Sequence, residues 1–281
     1  MMVVSSDPLS GAAPGEQNLH NKTAAARPFN EALESALAAR GLKSNLLHPR
    51  DQIEKRILEE YGAIFIAEKS VTPPSVTIFT DEKSVLDFQT SVSVASASFD
   101  GTKIELQKAA LDALLTARNE ALKAGLNITP RGGSEAARRS YKDTVRLWSS
   151  RVLPGLEHWA LRGRITSQEV ARIRQLSTRD QIPAILDLEK QGIYFSRDLT
   201  KSILYSVAAP GTSQHLSMLA FDVAEFADAR IRTILGTHGW FQTVKSDQPH
   251  FTFLGLTEEE LPAHGLKKVT IGNQVFWIPN V

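Results

Sequence analysis

The chain has 281 residues, a formal net charge of +1 and no cysteine. That length admits one large domain or two modest ones, with a core big enough to hold without covalent staples. The near-zero charge gives no global attraction to nucleic acid or to an anionic membrane, and the absent thiols exclude disulfides and thiolate metal ligands.

Residues 1–27 are rich in Ser, Gly, Pro and Ala without periodicity, which predicts a disordered lead-in. Neither the basic nor the apolar region of a signal peptide is visible there, and no apolar run is long enough to cross a bilayer. Phe29, Leu33 and Leu37 recur at helical spacing up to Gly41. Asp51 can cap a second helix carrying Ile53, Ile57, Leu58 and Tyr61, stopped at Gly62. Ala63–Ala67 and Ser75–Phe79 read as short strands. Ser91–Ser98 mostly alternates serine with small apolar residues and runs into an Asp100-Gly101 turn. A long amphipathic helix is predicted over Ile104–Ala124, ended by Gly125, with a strand over Leu126–Thr129. Ser134 can cap a helix through Trp148. Residues 155–192 read as helices, with Thr166 and Glu169 at capping-box spacing, and look inserted into a domain spanning 104–281. Residues 28–103 read as an N-terminal helical and α/β region. A strand over Ile203–Val207, a turn at Ala208–Gly211, a helix over Ala224–Leu235 and a strand over Phe251–Leu254 follow. Thr257–Glu260 reads as a capping box on a short helix. Lys267–Ile271 and Gln274–Ile278, joined by Gly272-Asn273, predict a closing hairpin.

Two short segments carry the chemistry: Ser213-Gln-His215-Leu-Ser-Met-Leu-Ala220-Phe-Asp222 and Asp247-Gln-Pro249-His250-Phe251. Two histidines and two aspartates suffice for three ligands to a zinc ion and one spare carboxylate as a base. His215 and Asp222 are seven residues apart, so on one continuous strand they would face opposite ways. Joint ligation therefore needs an irregular stretch, and Gly211–Ser213 offers one. Pro249 holds Gln248 extended and sets the approach of His250. Taken singly, each residue has a plainer reading: a surface histidine, a helix-capping Asp222, a turn at Ser246–Pro249.

Together the two segments resemble the zinc D-alanyl-D-alanine carboxypeptidase (VanY-like) family, which includes related phage L-alanyl-D-glutamate endopeptidases and has a hedgehog/D-Ala-D-Ala peptidase-like fold. The family's first motif runs Ser-x-His-x-x-Gly-x-Ala-x-Asp. Ser213, His215, Ala220 and Asp222 match it, while Met218 stands at the usual glycine. The resemblance implies that His215, Asp222 and His250 hold Zn2+ and that Asp247 is the catalytic base. His238-Gly239-Trp240 before the second motif is also family-like, suggesting Trp240 and Ser213 as substrate contacts. The family's upstream substrate-facing arginine falls imperfectly on Ala137–Tyr141. Arg139 fits best, with Arg138 and Arg131 as alternatives, and each has an ordinary helix-surface reading.

The expectation is an α+β fold with a small antiparallel metal-binding sheet flanked by helices. The expected activity is zinc-dependent hydrolysis of an amide in peptidoglycan stem peptides, by a carboxypeptidase or an endopeptidase, in the periplasm or cell envelope. A non-catalytic zinc- or cell-wall-binding module is the alternative. A spare carboxylate at Asp247 favours the enzyme, and Met218 favours the binding module.

Overall fold

A computed structural model describes residues 25–42 and 49–281. Most of the lead-in predicted over 1–27 lies outside the described residues. Residues 25–27 enter the fold as coil, with the Arg27 amide donating to the Pro262 carbonyl (3.0 Å).

The architecture is α+β, with eight helices and three small antiparallel sheets among the described residues. Helix α1 (Phe29–Ala38) buries Phe29, Leu33 and Leu37, the residues whose spacing predicts it. Helix α2 (Gln52–Tyr61) starts at Asp51, whose carboxylate accepts the amides of Ile53 and Glu54. The expected strand over Ala63–Ala67 is instead a 3-10 turn, Gly62–Ile66, buried on every side. Ser75–Phe79 is irregular, and Phe79 donates its amide to the Gly211 carbonyl (2.9 Å). An apolar run makes a strand only where another edge pairs with it, and neither run meets one.

Helix α3 (Glu82–Ser91), absent from the sequence reading, is capped reciprocally by Asp81 and Ser84. The hairpin of β1 (Val94–Phe99) and β2 (Thr102–Gln107) turns at Asp100 and Gly101, both at positive φ, as a two-residue turn of this hand requires. This hairpin corrects the helix predicted from Ile104: Ile104 and Leu106 are buried and alternate with Lys103 and Glu105, a strand's period. Helix α4 begins only at Lys108 and runs to Lys123.

Leu126–Thr129 is not a strand. Only a bridge forms just after it, Pro130 to Val223. Ser134 lies in a 3-10 turn, and the cap falls six residues later, where Ser140 and Asp143 close a reciprocal box on α5 (Tyr141–Leu161). Helices α6 (Ser167–Gln175) and α7 (Thr178–Lys190) follow, and Thr166 caps the first of them as predicted. The Ile203–Val207 segment is a 3-10 turn at Ile203–Tyr205 rather than a strand.

The central sheet comprises β3 (Ala220–Asp222), β4 (Trp240–Phe241) and β5 (His250–Phe253), in the order β3-β5-β4. Helix α8 (Ala229–Thr237) is shorter than predicted because Asp228, not Ala224, begins it. Thr257–Glu260 forms turns rather than a helix, although the Glu260 carboxylate does accept the Thr257 amide. The closing hairpin is β6 (Leu266–Ile271) with β7 (Gln274–Pro279).

Two apolar cores result. The larger joins α1, the first hairpin, α4, α8 and the central sheet. The second, from Trp148 to Ala209, fills the space among α5, α6 and α7. Gly211 lies where the chain returns from the second core to the sheet. Its φ is +81°, and a side chain there would drive into the backbone of Phe79. Gly211→Ala should therefore lower unfolding free energy by at least ~2 kcal/mol, from left-handed strain plus overpacking. Urea denaturation checks this; an unchanged midpoint would contradict the close approach.

Candidate metal centre

Three side chains converge at the edge of the central sheet. Asp222 on β3 pairs directly across from His250 on β5, so the ladder sets these two side by side. His215 arrives from the 3-10 turn Gln214–Ser217. The irregularity needed between His215 and Asp222 is this turn, not the Gly211–Ser213 stretch before it. Met218 ends the turn in the left-handed region, at φ 56° and ψ 35°. Glycine is the residue that takes this conformation without steric cost. Met218 is fully buried and outside the residues lining the adjoining cleft, so its side chain does not crowd that space.

Neighbouring elements hold the turn. The Gln107 amide nitrogen donates to the Met218 carbonyl (3.1 Å), and its side chain donates to the Ser217 carbonyl (2.9 Å). Buried Gln89 on α3 donates to the carbonyls of Leu216 (3.1 Å) and Arg139 (2.9 Å).

His215 Nε2, His250 Nδ1 and Asp222 Oδ1 lie 3.1–3.3 Å from one another. Ligands on a tetrahedral ion at ~2.0 Å stand about 3.3 Å apart, so the triangle has the dimensions of one face of such a site. The outer nitrogens settle the tautomers. His215 Nδ1 is 3.1 Å from the Ala137 carbonyl, to which it can only donate. His250 Nε2 is 2.8 Å from Gln214 Oε1. That oxygen is the amide's acceptor end, because Gln214 Nε2 donates to the Tyr61 carbonyl (2.9 Å) and Thr252 Oγ1 donates to Oε1 (2.5 Å). With both outer nitrogens donating, the inner nitrogens face each other as lone pairs. Asp222 Oδ1 is buried and has no hydrogen-bond partner among the described residues. Three acceptors therefore meet with no donor between them, an arrangement that a cation completes. The trio forms a group able to hold a metal ion.

Asp222 Oδ2 accepts from Arg139 Nη2 (2.7 Å), and Arg139 Nε donates to the Glu135 carbonyl (3.0 Å). Burial and the Arg139 charge push the His215 imidazole down to about 4, against the pull of Asp222.

A cleft of about 220 Å³ opens beside the trio. His215, His250, Gln214, Ser213, Asp247 and Arg139 line one side. Thr144, Leu147 and Arg151 from α5, with residues 204–208, line the other. Asp247 stands on this wall with its surface open to water. The surrounding protein nevertheless withdraws enough solvent to raise its carboxyl pKa; Asp222 adds to the rise, and His250, Arg139 and Arg131 oppose it.

The structure thus brings together His215, Asp222, His250, Asp247, Arg139 and Ser213. It does not bring Arg138, whose guanidinium turns away to Gln89 (2.9 Å) and Glu105 (3.4 Å). Nor does it bring Trp240, which is fully buried between Phe221 and Phe253. Alternation along β4 explains this, because Trp240 sits opposite Phe253 on the core face. Arg131 stacks on Phe226 and is exposed. Sequence reasoning missed Gln214 and the α5 wall. For Gln214 a signal existed: Thr252 is two residues beyond His250 on one strand, so both present polar groups to the same side.

The chain matches no protein-family model, no curated protein and no solved structure.

Gln214→Ala should weaken binding of an added divalent metal ion about 10- to 100-fold, read by chelator competition, because His250 loses the acceptor that orients it. Unchanged affinity would remove Gln214 from the site. The metal-stripped protein should also lose stability in acid. Its unfolded state takes up the His215 proton below about 6.5, whereas the folded state stays neutral down to about 4. Stability is thus complete above pH 6.5 and falls as pH drops from 6.5 towards 4. Thermal melts in chelator that are flat over this window would contradict the buried neutral imidazole.

Proposed function

We propose that the protein is a zinc-dependent amide hydrolase of the VanY-like D-alanyl-D-alanine carboxypeptidase type, acting on peptidoglycan stem peptides. The observation that carries this reading is the donor-free triangle of His215, Asp222 and His250 beside a cleft that also presents the free carboxylate of Asp247. Zinc is the ion proposed, because two imidazoles and one carboxylate are the donor set of catalytic zinc sites. The family resemblance draws support from the backbone at Met218, which is left-handed where the family's motif has glycine. The peptidoglycan substrate, and with it a place in the cell envelope, rests on that resemblance. Among the described residues no helix is long and apolar enough to cross a membrane.

Bound at the trio, zinc supplies Lewis acidity towards a carbonyl and makes water a nucleophile near neutral pH. The rest falls to the chain. Asp247 accepts the proton of the attacking water and delivers it to the leaving amine as the C–N bond breaks. Its accepting oxygens are unoccupied by hydrogen bonds from the described residues, and its raised pKa brings it closer to the working range of a general base. Arg139 keeps Asp222 ionised and aimed at the trio, a positioning role in place of the substrate grip that the resemblance implies.

Purified protein should carry about one zinc per chain. His250→Ala should lose it, and Asp247→Ala should keep it while turnover falls ~10²- to 10⁴-fold. Elemental analysis and stem-peptide hydrolysis read the two effects. Wild type without zinc after zinc is added back would end this reading.

A further inference from the structure

The cleft holds two guanidinium groups, and only one is spoken for. Arg139 is committed to Asp222 and to the Glu135 carbonyl. Arg151, on the α5 wall, donates from Nε to Ser206 Oγ (2.8 Å) and from Nη1 to Ser150 Oγ (2.9 Å). Among the described residues no carboxylate pairs with it, and its Nη2 makes no hydrogen bond. The group is only partly exposed, and burial, together with the neighbouring Arg197 charge, lowers its pKa. The nearest acid in sequence to Arg197, Asp198, is occupied by Ser196 and Thr200.

A half-buried cation without a counter-ion is costly, and a carboxylate is the group that relieves it. Two serine hydroxyls fix the plane of the guanidinium, so the free edge is presented in one orientation, suited to a paired, charge-assisted contact. The same lining includes Leu147, Val207 and Val244, apolar surface for small side chains. The cavity, at about 220 Å³, is below the ~300–1,000 Å³ of ordinary ligand pockets, which suits the end of a chain better than its middle.

We propose that Arg151, oriented by Ser206, is an anion subsite that binds a carboxylate of the peptide substrate. The inference rests on the hydrolase reading for the identity of that substrate as a peptide. The carboxylate has two possible sources, the chain terminus or an acidic side chain, and the experiment separates them.

Three peptides serve as probes: an acylated D-alanyl-D-alanine peptide as the free acid, the same peptide as its terminal amide, and an amide-ended peptide with one internal glutamate. Binding is measured by calorimetry to the zinc-loaded full chain carrying Asp247→Ala, and kcat and KM are measured with Asp247 intact. Arg151→Gln should weaken the carboxylate-bearing peptide ~10- to 100-fold, mainly through KM, with zinc content and melting temperature retained. Arg151→Lys should recover part of the loss. Arg174→Gln, an exposed α6 residue paired with Glu157, should change nothing. Loss confined to the free acid assigns the terminal carboxylate, and loss confined to the glutamate peptide assigns the side chain. Equal binding of all three peptides by Arg151→Gln and by its parent overturns the subsite. Arg151-dependent binding without turnover when Asp247 is intact would keep the subsite and sink the hydrolase reading; turnover indifferent to Arg151 would do the reverse. A zinc-loaded chain that binds none of the peptides defeats both.

Discussion

The structure turns on three electron-pair acceptors held within 3.3 Å of one another inside protein, with no hydrogen between them. Left uncompensated, such a cluster is unfavourable, because each group has lost its water and gained a neighbour of like polarity. Two ordinary remedies are closed off. The outer protons of both imidazoles are committed to Ala137 and Gln214, so neither ring can turn a donor inward without breaking a buried bond. Protonating His215 is opposed by burial and by Arg139. Among the described residues the cation in contact is Arg139, which takes the other oxygen of Asp222 and leaves Oδ1 unsatisfied. What remains is a compact charge that needs no proton, and that is what a divalent metal provides.

Local chemistry was legible in the sequence wherever one residue type has one physical use. The Asp100-Gly101 turn, the Asp51 and Thr166 caps and the closing hairpin fall where their residues predict. The three residues that the family resemblance implies as ligands do converge, although each taken singly has a plainer reading. Short apolar runs were not legible. Ala63–Ala67 and Ile203–Val207 are apolar enough for a buried strand or a buried 3-10 turn, and the choice depends on whether a partner edge lies alongside. Ile104 and Leu106 fit a helix continuing to Leu111 or a strand alternating with Lys103 and Glu105; the turn before them decides for the strand. Trp240 was misread for a related reason. Proximity to a motif says where a residue lies along the chain, whereas strand alternation says which way it faces.

The residues on either side of the predicted insertion gain a role that the sequence does not announce. No residue of 155–192 lines the cleft; Thr144, Leu147 and Arg151 before it and residues 204–208 after it do. The second core packs behind them, distinct from the core beneath the sheet. Besides the contacts of α2 and α3 with the helical unit, one short junction joins it to the sheet. Ala137 offers its carbonyl to His215, Arg139 holds Asp222, and Ser140 caps α5. Within four consecutive positions the chain orients two of the three members of the trio and begins the opposite wall.

That junction also explains why adjacent arginines serve different ends. Arg138 and Arg139 lie in an irregular link, and their side chains diverge. One is drawn to Gln89 and Glu105, and the other reaches the trio. Gln89 joins the two branches, since its carbonyl end accepts from Arg138 while its amide end donates to the backbone of Arg139 and Leu216. Helix α3 therefore fixes the turn that carries His215 and the link that carries Arg139 through a single buried side chain. A shift of α5 against the sheet would strain that link at Arg139, and through it the carboxylate of Asp222. The trio and the start of α5 thus share their supports, Gln89 and the 137–140 link.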